Sequence, residues 1–362
     1  MRRRLALGKE TEVATIKDVA QVSGVTAATV SNVIRNRNVV SKGTRERVLE
    51  AIEALNYRPN LLARSLVRGC SYTLALTLPD ITNPFYPEIA LEAERRCREL
   101  GYQIILCNTH FDTTVARNQL TRLSGGLVDG AIVLSGGIKP IDVVDLSLRG
   151  VPVVACLFGS EFDGVPDAGK VSRLEVDFER AGVLAAEHLL ELGHRSFAAI
   201  MKIGLDGRGG HEPRLHGFRK RLTDAGISLP DQMVRIAETN VESGRQAFQE
   251  VLRSPKRPSA LFAGNDLMAL GAMEFALDNG LRVPEDISIV GIDDIDLSRH
   301  VRPALTTMAL PKRNLAETAV ELLVVKLTTP REKPSVSILQ PFLVRRQSTC
   351  NVNLGTRKSQ LT

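Results

Sequence analysis

The sequence predicts two kinds of structure in one chain: a small all-α head containing a helix-turn-helix, and a larger α/β core of two doubly wound parallel-sheet lobes. The first observation is charge, because residues 1–69 hold 13 Lys and Arg against 6 Asp and Glu, whereas the remaining residues hold 34 against 35. The second is a pair of short helical segments joined by a glycine-containing turn. The third is an alternation of apolar strand-like runs with helix-length stretches beyond residue 70.

The composition is that of a globular protein with a substantial core. Apolar residues make up 43% of the chain, and at roughly 100–200 residues per domain the length allows two or three domains. No apolar run reaches the roughly 18 residues of a membrane span, and the N-terminal segment lacks the apolar stretch of a secretory signal. We therefore expect a cytoplasmic, nucleoid-associated protein. The five cysteines lack metal-site spacing, so we expect reduced, buried thiols.

The capping residues indicate the first two helices of the head. Thr15 is a candidate N-cap, Asp18 lies in the first turn, where negative charge is favourable, and Gly24 ends the first helix. Thr26 is a candidate N-cap for a second helix, from residue 27 to about residue 35. The short link with a glycine between the two helices is typical of a helix-turn-helix.

A third helix and a short additional segment complete the predicted head. Ser41 is a candidate N-cap for the third helix, and Pro59 ends it. Asn60 can cap a further helix over residues 61–67, which is too short to be stable alone and can fold on contact with DNA. An apolar side chain such as Leu66 can then insert between base steps in the minor groove. The predicted inward-facing residues of the third helix are Val48, Leu49, Ile52 and Leu55.

The second helix is the predicted DNA-reading element, because the N-terminal residues of such a helix lie against base edges in the major groove. Asn32 can pair with adenine, and the methyl groups of Ala27 and Ala28 can contact thymine methyl groups. The basic surplus of the head supports a polyanionic partner, although a solvated basic face would show the same charge. The side chains placed to bond phosphates are Thr26, Thr29, Ser31 and Asn36.

Several motifs follow one another between residues 15 and 66: T-I-K-D-V-A-x-x-S-G-V-T-x-x-T-V-S-x-V-I, then T-R-E-R-V, then L-N-Y-R-P-N-x-x-A-R-S-L. With these motifs the head resembles the headpiece and hinge of the lac-repressor (LacI/GalR) family. The resemblance implies that residues 60–67 form a hinge helix and that Leu66 is an intercalating leucine. The other DNA contacts that it implies in this segment are Asn60, Ala63 and Arg64.

The core is predicted from strands and helices that alternate in two series. Ligands bind such sheets at the carboxyl ends of the strands, in the crevice between the lobes. The predicted strands are 72–78, 103–107, 130–134 and 151–157, then 196–201, 260–263 and 287–292. The predicted helices are 87–100, 113–125, 178–192, 212–226, 242–253 and 266–279.

Aromatic and polar residues near these strand ends form the candidate effector site. Aromatic rings can cover an apolar sugar face, and arginine can bond a carboxylate, a phosphate or sugar hydroxyls. For each residue taken alone, helix capping or packing is the alternative, and Asp266 can simply cap its helix. The candidates are Phe85, Tyr86, Arg208, Arg214, Asn265 and Asp293.

The core carries further motifs, including L-P-D-I-T-N-P-F-Y at 78–86, R-L-x-G-F at 214–218 and A-G-N-D-x-M-A-L-G-A at 263–272. With them the core also resembles the lac-repressor family. The resemblance implies a periplasmic-binding-protein-like sensor whose effector contacts the six candidates. It also implies a homodimer on near-palindromic, double-stranded operator DNA, with the effector changing the closure of the lobes.

We therefore predict a sequence-specific transcriptional repressor controlled by a small molecule, namely a sugar or sugar-acid derivative. The alternative is a solute-binding protein for a sugar or nucleobase that regulates no gene. The domain limits that we assign are 1–58 for the head, 59–69 for the hinge helix, 70–172 with 308–338 for the N-terminal lobe, 173–307 with 339–350 for the C-terminal lobe, and 351–362 for the tail.

No catalytic constellation is predicted. His211 and His216 resemble a zinc-protease motif only loosely, because the second histidine comes one residue late and Pro213 intervenes. The acidic run at 293–296 is not accompanied by a phosphate-binding loop. We therefore expect no enzyme activity, no cofactor and no metal.

Overall fold

The computed structural model of the chain describes residues 14–34, 39–58, 69–202, 211–329 and 331–352. The chain divides into two compact units, Met1–Ser71 and Tyr72–Thr362, which correspond to a head and a core. Within the described ranges, no helix combines the length and the apolar character needed to cross a lipid bilayer.

Three helices form the described part of the head: α1 (Ile16–Ser23), α2 (Ala27–Ile34) and α3 (Lys42–Ala54). The predicted cap of α1 is confirmed, because Thr15 and Asp18 form a reciprocal capping box. The Thr15 N–H donates to the Asp18 carboxylate at 2.7 Å, and the Asp18 N–H donates to the Thr15 hydroxyl. Two of the four unpaired N–H groups at the start of this helix are thereby satisfied.

The turn between α1 and α2 also follows its prediction. Gly24 ends α1 with a φ of 67°, a left-handed conformation that glycine adopts without strain. The hydroxyl of Thr26 accepts the Thr29 N–H at 3.2 Å, so Thr26 caps α2. The predicted cap of α3 is weaker, because the Ser41 side chain makes no hydrogen bond to a backbone N–H.

The prediction that Leu49 lies in the core of the head is wrong. Leu49 is 51% exposed, whereas Ala51 is buried. At 3.6 residues per turn, Val48 and Ala51 lie on the same face of α3, and Leu49 is rotated from Val48 by about 100°. The buried apolar residues of the described head are Val19, Ala20, Val30, Val33, Val48 and Ala51.

The core alternates strands with helices. Its strands, in chain order, are β1 (Thr73–Leu78), β2 (Gln103–Asn108), β3 (Gly130–Leu134), β4 (Val153–Cys156), β5 (Ser172–Val176), β6 (Phe197–Met201), β7 (Val234–Ile236), β8 (Ala260–Ala263), β9 (Ser288–Asp293), β10 (Thr306–Ala309), β11 (Val336–Leu339) and β12 (Phe342–Val344). Its helices are α4 (Phe85–Glu99), α5 (Thr113–Leu123), α6 (Pro140–Leu148), α7 (Phe178–Glu191), α8 (Glu212–Asp224), α9 (Val241–Leu252), α10 (Asp266–Asp278) and α11 (Lys312–Thr328).

These strands form two six-stranded sheets, which define the first and the second lobe. The strand order is β11-β5-β4-β3-β1-β2 in the first lobe and β12-β10-β9-β8-β6-β7 in the second. Neighbouring strands are parallel, except that β12 runs antiparallel to β10. The inner strands β3 and β4 are buried along their whole length, as expected when helices cover both faces of a parallel sheet. The predicted fold class is confirmed.

The chain crosses between the lobes three times, and the predicted limits at residues 172, 307 and 338 do not coincide with these crossings. Each of those limits divides a strand, since the strands concerned end at Val176, Ala309 and Leu339. Sheet membership therefore places the three crossings after β5, after β10 and after β11.

In each sheet the chain reverses its direction of travel at one point. The strands on either side of that point are β1 and β3 in the first lobe, and β6 and β8 in the second. Loops that leave the carboxyl ends of such strands diverge, and a crevice forms between them. Both crevices open into one cleft between the lobes.

Candidate effector cleft and DNA-reading helix

A cavity of about 760 Å³ lies between the two lobes. Loops and helix ends that follow β1 to β4 form its first-lobe wall, and those that follow β6 to β9 form its second-lobe wall. The volume lies within the range of about 300–1,000 Å³ that is usual for small-molecule sites. The predicted effector residues that line the cavity are Phe85, Tyr86, Arg214, Asn265 and Asp293.

Arg214 is the central cation of the cleft and is only 7% exposed. One terminal nitrogen donates to the carbonyl oxygen of Gly264 at 3.0 Å, and the guanidinium carbon lies 4.2 Å from the ring centroid of Phe178. Its Nε is buried and has no hydrogen-bond partner among the described residues. A buried donor without a partner is costly, so Arg214 has a donor that a ligand could satisfy.

Two glycines allow the helices that hold Arg214 to approach closely. A Cβ placed at Gly182 on α7 would lie 1.9 Å from the Arg214 carbonyl oxygen, and one at Gly217 on α8 would lie 2.0 Å from the Glu179 carbonyl oxygen. Only glycine fits both positions, because backbone atoms cannot withdraw as a flexible side chain can. The position of Arg214 thus depends on the crossing of α7 and α8.

Asp293 is the last residue of β9 and is 4% exposed. Burial raises the pKa of its carboxyl group to about 8, although the nearby charges of Arg214 and Lys312 oppose this shift. Its φ of 118° is a left-handed value that is unusual for a residue other than glycine. Lys312 stabilises this backbone by donating to the Asp293 carbonyl oxygen at 2.8 Å. The Asp293 carboxyl group is therefore protonated more readily than that of an exposed aspartate.

Phe85 and Tyr86 form an aromatic corner at the start of α4. Their ring centroids are 5.2 Å apart, with the planes inclined by 76°. The Asn83 side chain accepts the Phe85 N–H at 3.1 Å and so fixes the entry into the helix. Burial raises the pKa of Tyr86, and the nearby Asp293 raises it further. The phenol therefore stays protonated and can donate a hydrogen bond.

Asn265 and Asp266 are adjacent but have different roles. Asn265 is the N-cap of α10, because its side-chain oxygen accepts the Met268 N–H at 2.9 Å. Asp266 points away from the cavity and accepts hydrogen bonds from Ser298 at 2.7 Å and Thr307 at 2.6 Å. The alternative of a structural role is thus supported for Asp266. Only Asn265 lines the cleft.

His211 also lines the cleft, although its sequence context resembles a metal motif only loosely. Its Nδ1 accepts the Lys202 N–H at 3.2 Å, so Nε2 carries the proton of the neutral ring. Burial, followed by the charge of Arg214, lowers the pKa of His211 well below its usual value. A Cβ at Gly264 would lie 2.0 Å from this Nδ1, which explains the glycine beside it.

Two carboxyl groups modify the charge of the first-lobe wall. Glu161 lines the cavity, and Glu175 on β5 is buried and accepts the Gly159 N–H at 2.8 Å. Burial raises the pKa of each group to about 7, and Glu175 raises that of Glu161 further. Near neutral pH this wall is therefore less negative than its composition suggests.

The predicted DNA-reading residues lie on α2 and its cap. Thr26 and Ala28 are exposed, and Ala27 is half-buried. The remaining described members of the set, Thr29, Ser31 and Asn32, are half-buried. Val30 and Val33 point into the core of the head. The opposite face of α2 therefore carries Ala28, Ser31 and Asn32, whereas Ala27 packs against the core of the head.

Two family models match the chain. The model described as bacterial regulatory proteins, lacI family, matches residues 15–60. The model described as periplasmic binding protein-like domain matches residues 186–349. They correspond to the helix-turn-helix head and to the part of the core from within α7 onwards.

A curated relative covers the whole architecture. The HTH-type transcriptional repressor PurR of Photobacterium profundum is 34% identical over 343 residues, which are 94% of this chain and 100% of that protein. The chain belongs to the LacI family of transcriptional regulators. It is a DNA-binding regulator that responds to a small-molecule effector. The match to the head decides against a solute-binding protein that regulates no gene.

Solved structures of LacI-family members have the same fold. A complex of the transcriptional regulator CelR with cellobiose is 31% identical, with a TM-score of 0.68, and covers 92% of this chain and 99% of that chain. A lac repressor dimer bound to operator and the anti-inducer ONPF is 28% identical, with a TM-score of 0.79, and covers 94% of this chain and 100% of that chain.

Some predicted site residues of this LacI-family regulator lie outside the described residues. They are Asn36, Asn60, Ala63, Arg64 and Leu66 of the head and hinge, and Arg208 of the core. The structure brings five of the six predicted effector residues to one cavity.

The sequence analysis missed other residues of the cleft. Phe111, Ser135 and Lys202 line the cavity, and each lies one to three residues beyond the end of a strand. The strand-end rule that selected Asn265 and Asp293 would have found them if it had been applied to β2, β3 and β6 as well.

Proposed function

We propose that this regulator is a repressor whose effector is a sugar or sugar-acid derivative, bound in the cleft between the lobes. The observation that carries the proposal is the convergence of three buried polar groups, Arg214, Asn265 and Asp293, with the aromatic corner of Phe85 and Tyr86 around one cavity. We include Arg208 in the effector site because of its place in the sequence.

The chemistry of the cleft suits a polyhydroxylated ligand. Sugar hydroxyls both donate and accept, and the cleft offers the Arg214 guanidinium as a donor and the oxygen atoms of the Asp293 carboxyl group as acceptors. Aromatic faces suit the apolar face of a sugar ring. The raised pKa values of Glu161 and Glu175 reduce repulsion of a carboxylate or phosphate. The relative CelR has been solved with cellobiose, which supports the same ligand class here.

In the head, the proposal assigns base contacts to Ala27, Ala28 and Asn32, and phosphate contacts to the hydroxyl and amide side chains around them. Leu66 would insert into the minor groove at the centre of the operator. One head reads only a few base pairs, so a two-fold homodimer on a near-palindromic site would supply the remaining specificity. The lac repressor relative was solved as a dimer bound to operator.

A thermal-shift screen followed by calorimetry tests the effector assignment. The panel contains neutral sugars, sugar acids, phosphorylated sugars and nucleobases, since a ligand that binds the folded state raises the melting temperature. For the ligand found, Arg214→Gln should weaken binding on the order of a hundredfold, because charge-assisted hydrogen bonds to a buried ligand are lost.

The matched control is Arg245→Gln, which removes a guanidinium of the same lobe that pairs with Asp278 at 2.7 Å. The control should bind the ligand as the wild type does. Stabilisation by nucleobases but not by sugars would contradict the ligand class. Equal binding by the Arg214 and Arg245 variants would contradict the site.

The DNA-binding assignment is tested with an operator selected from random oligonucleotides. Leu66→Ala should weaken operator binding more than about tenfold and reduce DNA bending, because the wedge between base steps is lost. Binding is measured by fluorescence anisotropy and bending by a gel-phasing assay. Unchanged bending would contradict the wedge role even if affinity fell.

A further inference from the structure

One side of the cleft is pinned by charge-assisted hydrogen bonds between the lobes. Lys312 begins α11, a helix that packs against α4 of the first lobe. Its ammonium donates to the carbonyl oxygens of Asp293 and Asp294 in the second lobe and pairs with Glu88 on α4 at 2.8 Å. These three acceptors match the three hydrogens of an ammonium group. The Glu88 carboxylate also accepts the Asp296 N–H at 2.9 Å.

A different contact joins the lobes elsewhere on the cleft wall. Lys202 follows β6 of the second lobe, and its ammonium lies 4.1 Å from the ring centroid of Phe111 in the first lobe. The same ammonium pairs with Glu238 of its own lobe at 2.6 Å. All three side chains line the cavity, and the distance to the ring is typical of a cation–π interaction.

Phe111 is fixed within the first lobe. Its N–H donates to the Pro79 carbonyl oxygen at 3.2 Å, and its φ of 56° places its backbone in the left-handed region. A Cβ at Gly137 would lie 2.6 Å from the Phe111 carbonyl group, and one at Gly136 would lie 3.1 Å from its ring. Because the ring is packed this closely, separating it from Lys202 requires movement of the lobes.

The two sides differ in how readily they can separate. A single cation–π contact is weaker than a set of charge-assisted hydrogen bonds. Lys202 also keeps Glu238 as its partner when it leaves the ring, so no ammonium is left unpaired. Lys312, by contrast, would lose two buried carbonyl acceptors. Separating the lobes at the Phe111 side therefore loses less interaction energy than separating them at the Lys312 side.

We propose that Lys202 and Phe111 form a latch between the two lobes, and that the lobes separate at this latch while the Lys312 side stays together. The effector enters where the latch opens.

Hydrogen–deuterium exchange of the full chain without effector tests the latch. Phe111→Leu keeps an apolar side chain but removes the ring, and Lys202→Met keeps the length of the stem but removes the charge. Both variants should exchange about fivefold faster in cleft-wall peptides 135–141 and 211–216, while peptide 293–298 beside Lys312 stays as in the wild type. Lys202→Arg keeps a cation at the ring and should restore slow exchange.

The matched control is Phe275→Leu, which removes the ring of a cation–π pair inside the second lobe, with Arg245 5.5 Å from the Phe275 centroid. This variant should leave both cleft-wall peptides unchanged. Wild-type exchange in both latch variants would overturn the latch. An equal rise in peptide 293–298 would overturn the assignment of the pinned side.

Discussion

The DNA-reading helix and the effector cleft hold their functional side chains in opposite surroundings. On α2 the described contact residues of the prediction are exposed or half-buried, whereas Val30 and Val33 are buried in the core of the head. In the cleft, Arg214 and Asp293 are buried; the Arg214 guanidinium donates to the Gly264 carbonyl oxygen, and the Asp293 carbonyl oxygen accepts from the Lys312 ammonium. The head therefore separates its reading surface from its core, whereas the core builds its ligand groups into its own packing.

This difference matches the two partners. Operator DNA is larger than the head and remains outside it, so exposed side chains on a small scaffold are sufficient. A small effector is enclosed, so the groups that bind it must be desolvated before it arrives, and their pKa values shift accordingly. It follows that substitutions that support the cleft should disturb folding more than comparable substitutions in the head.

The largest effect is expected at the helix crossing that positions Arg214. Gly182→Ala should lower the free energy of unfolding by about 3 kcal/mol, since the new methyl group would meet the Arg214 carbonyl oxygen and the helices must separate. Urea denaturation followed by circular dichroism measures the loss.

The matched substitution in the head is Gly43→Ala on α3, where a Cβ meets no atom within 4 Å. Alanine should raise the stability of the head by about 0.5 kcal/mol, because it restricts the unfolded chain and favours the helix. The comparison of the two regions fails if both substitutions change the free energy of unfolding in the same direction.

The second expected effect is a dependence of the free energy of unfolding on pH, which arises from a buried histidine of the core. His194 is buried between strands, with Nε2 3.2 Å from the Cys350 carbonyl oxygen, and burial lowers its pKa to about 4 from an ordinary value of 6.5. The neutral ring therefore stabilises the fold fully above pH 6.5, and this contribution is lost as the pH falls towards 4. The head contains no histidine.

The measurement compares the wild type with His194→Gln by urea denaturation at pH 7 and pH 4.5. Their difference in free energy of unfolding should shrink by about 2 kcal/mol over this range. The matched control is His216→Gln, on an imidazole that is 67% exposed. Equal behaviour of the two variants would contradict the role of burial.

The third expected effect concerns the two helix caps of the head. Thr15→Ala should lower the stability of the head by about 1 kcal/mol, because the capping box with Asp18 is lost. Ser41→Ala should cost less, because the Ser41 side chain makes no hydrogen bond to a backbone N–H of its helix. Thermal unfolding monitored by circular dichroism ranks the two variants, and the reverse order would contradict the hydrogen-bond assignment.

The head was predictable in detail because its signals are local. The capping box of Thr15, the left-handed Gly24 and the cap of Thr26 depend on residues at most three positions away. The error at Leu49 arose because an apolar residue beside Val48 fits a helical pattern approximately, and only packing against α1 and α2 selects the face.

In the core, the alternation of strands and helices was predictable where the strands are apolar runs. Strand β5 was missed because it contains Arg173 and Glu175, and β11 was missed because every second residue of this edge strand is exposed. Helix α6 was missed because its β-branched run Val143–Val144 is more typical of a strand, although Pro140 in its first turn is a signal for the start of a helix.

The candidate site was predictable as far as strand ends reveal it. Asn265 and Asp293 were found because they lie at the ends of buried strands. Asp266 belongs to the same motif as Asn265, but its carboxylate accepts hydrogen bonds from Ser298 and Thr307 in the protein interior. Which of two neighbouring polar residues faces the cavity depends on the direction in which the backbone enters the next helix. The contact of Lys202 with Phe111 joins two lobes and has no signal in the local sequence.

The three crossings between the lobes affect how the protein folds during translation. Strand β11 and helix α11, which complete the first lobe, are translated only after β6 to β10 of the second lobe. Until then, the apolar surface that Leu315, Val320 and Leu323 cover in the finished protein lacks its cover. While the first lobe is incomplete on the ribosome, its uncovered apolar surface therefore favours aggregation and binding by chaperones.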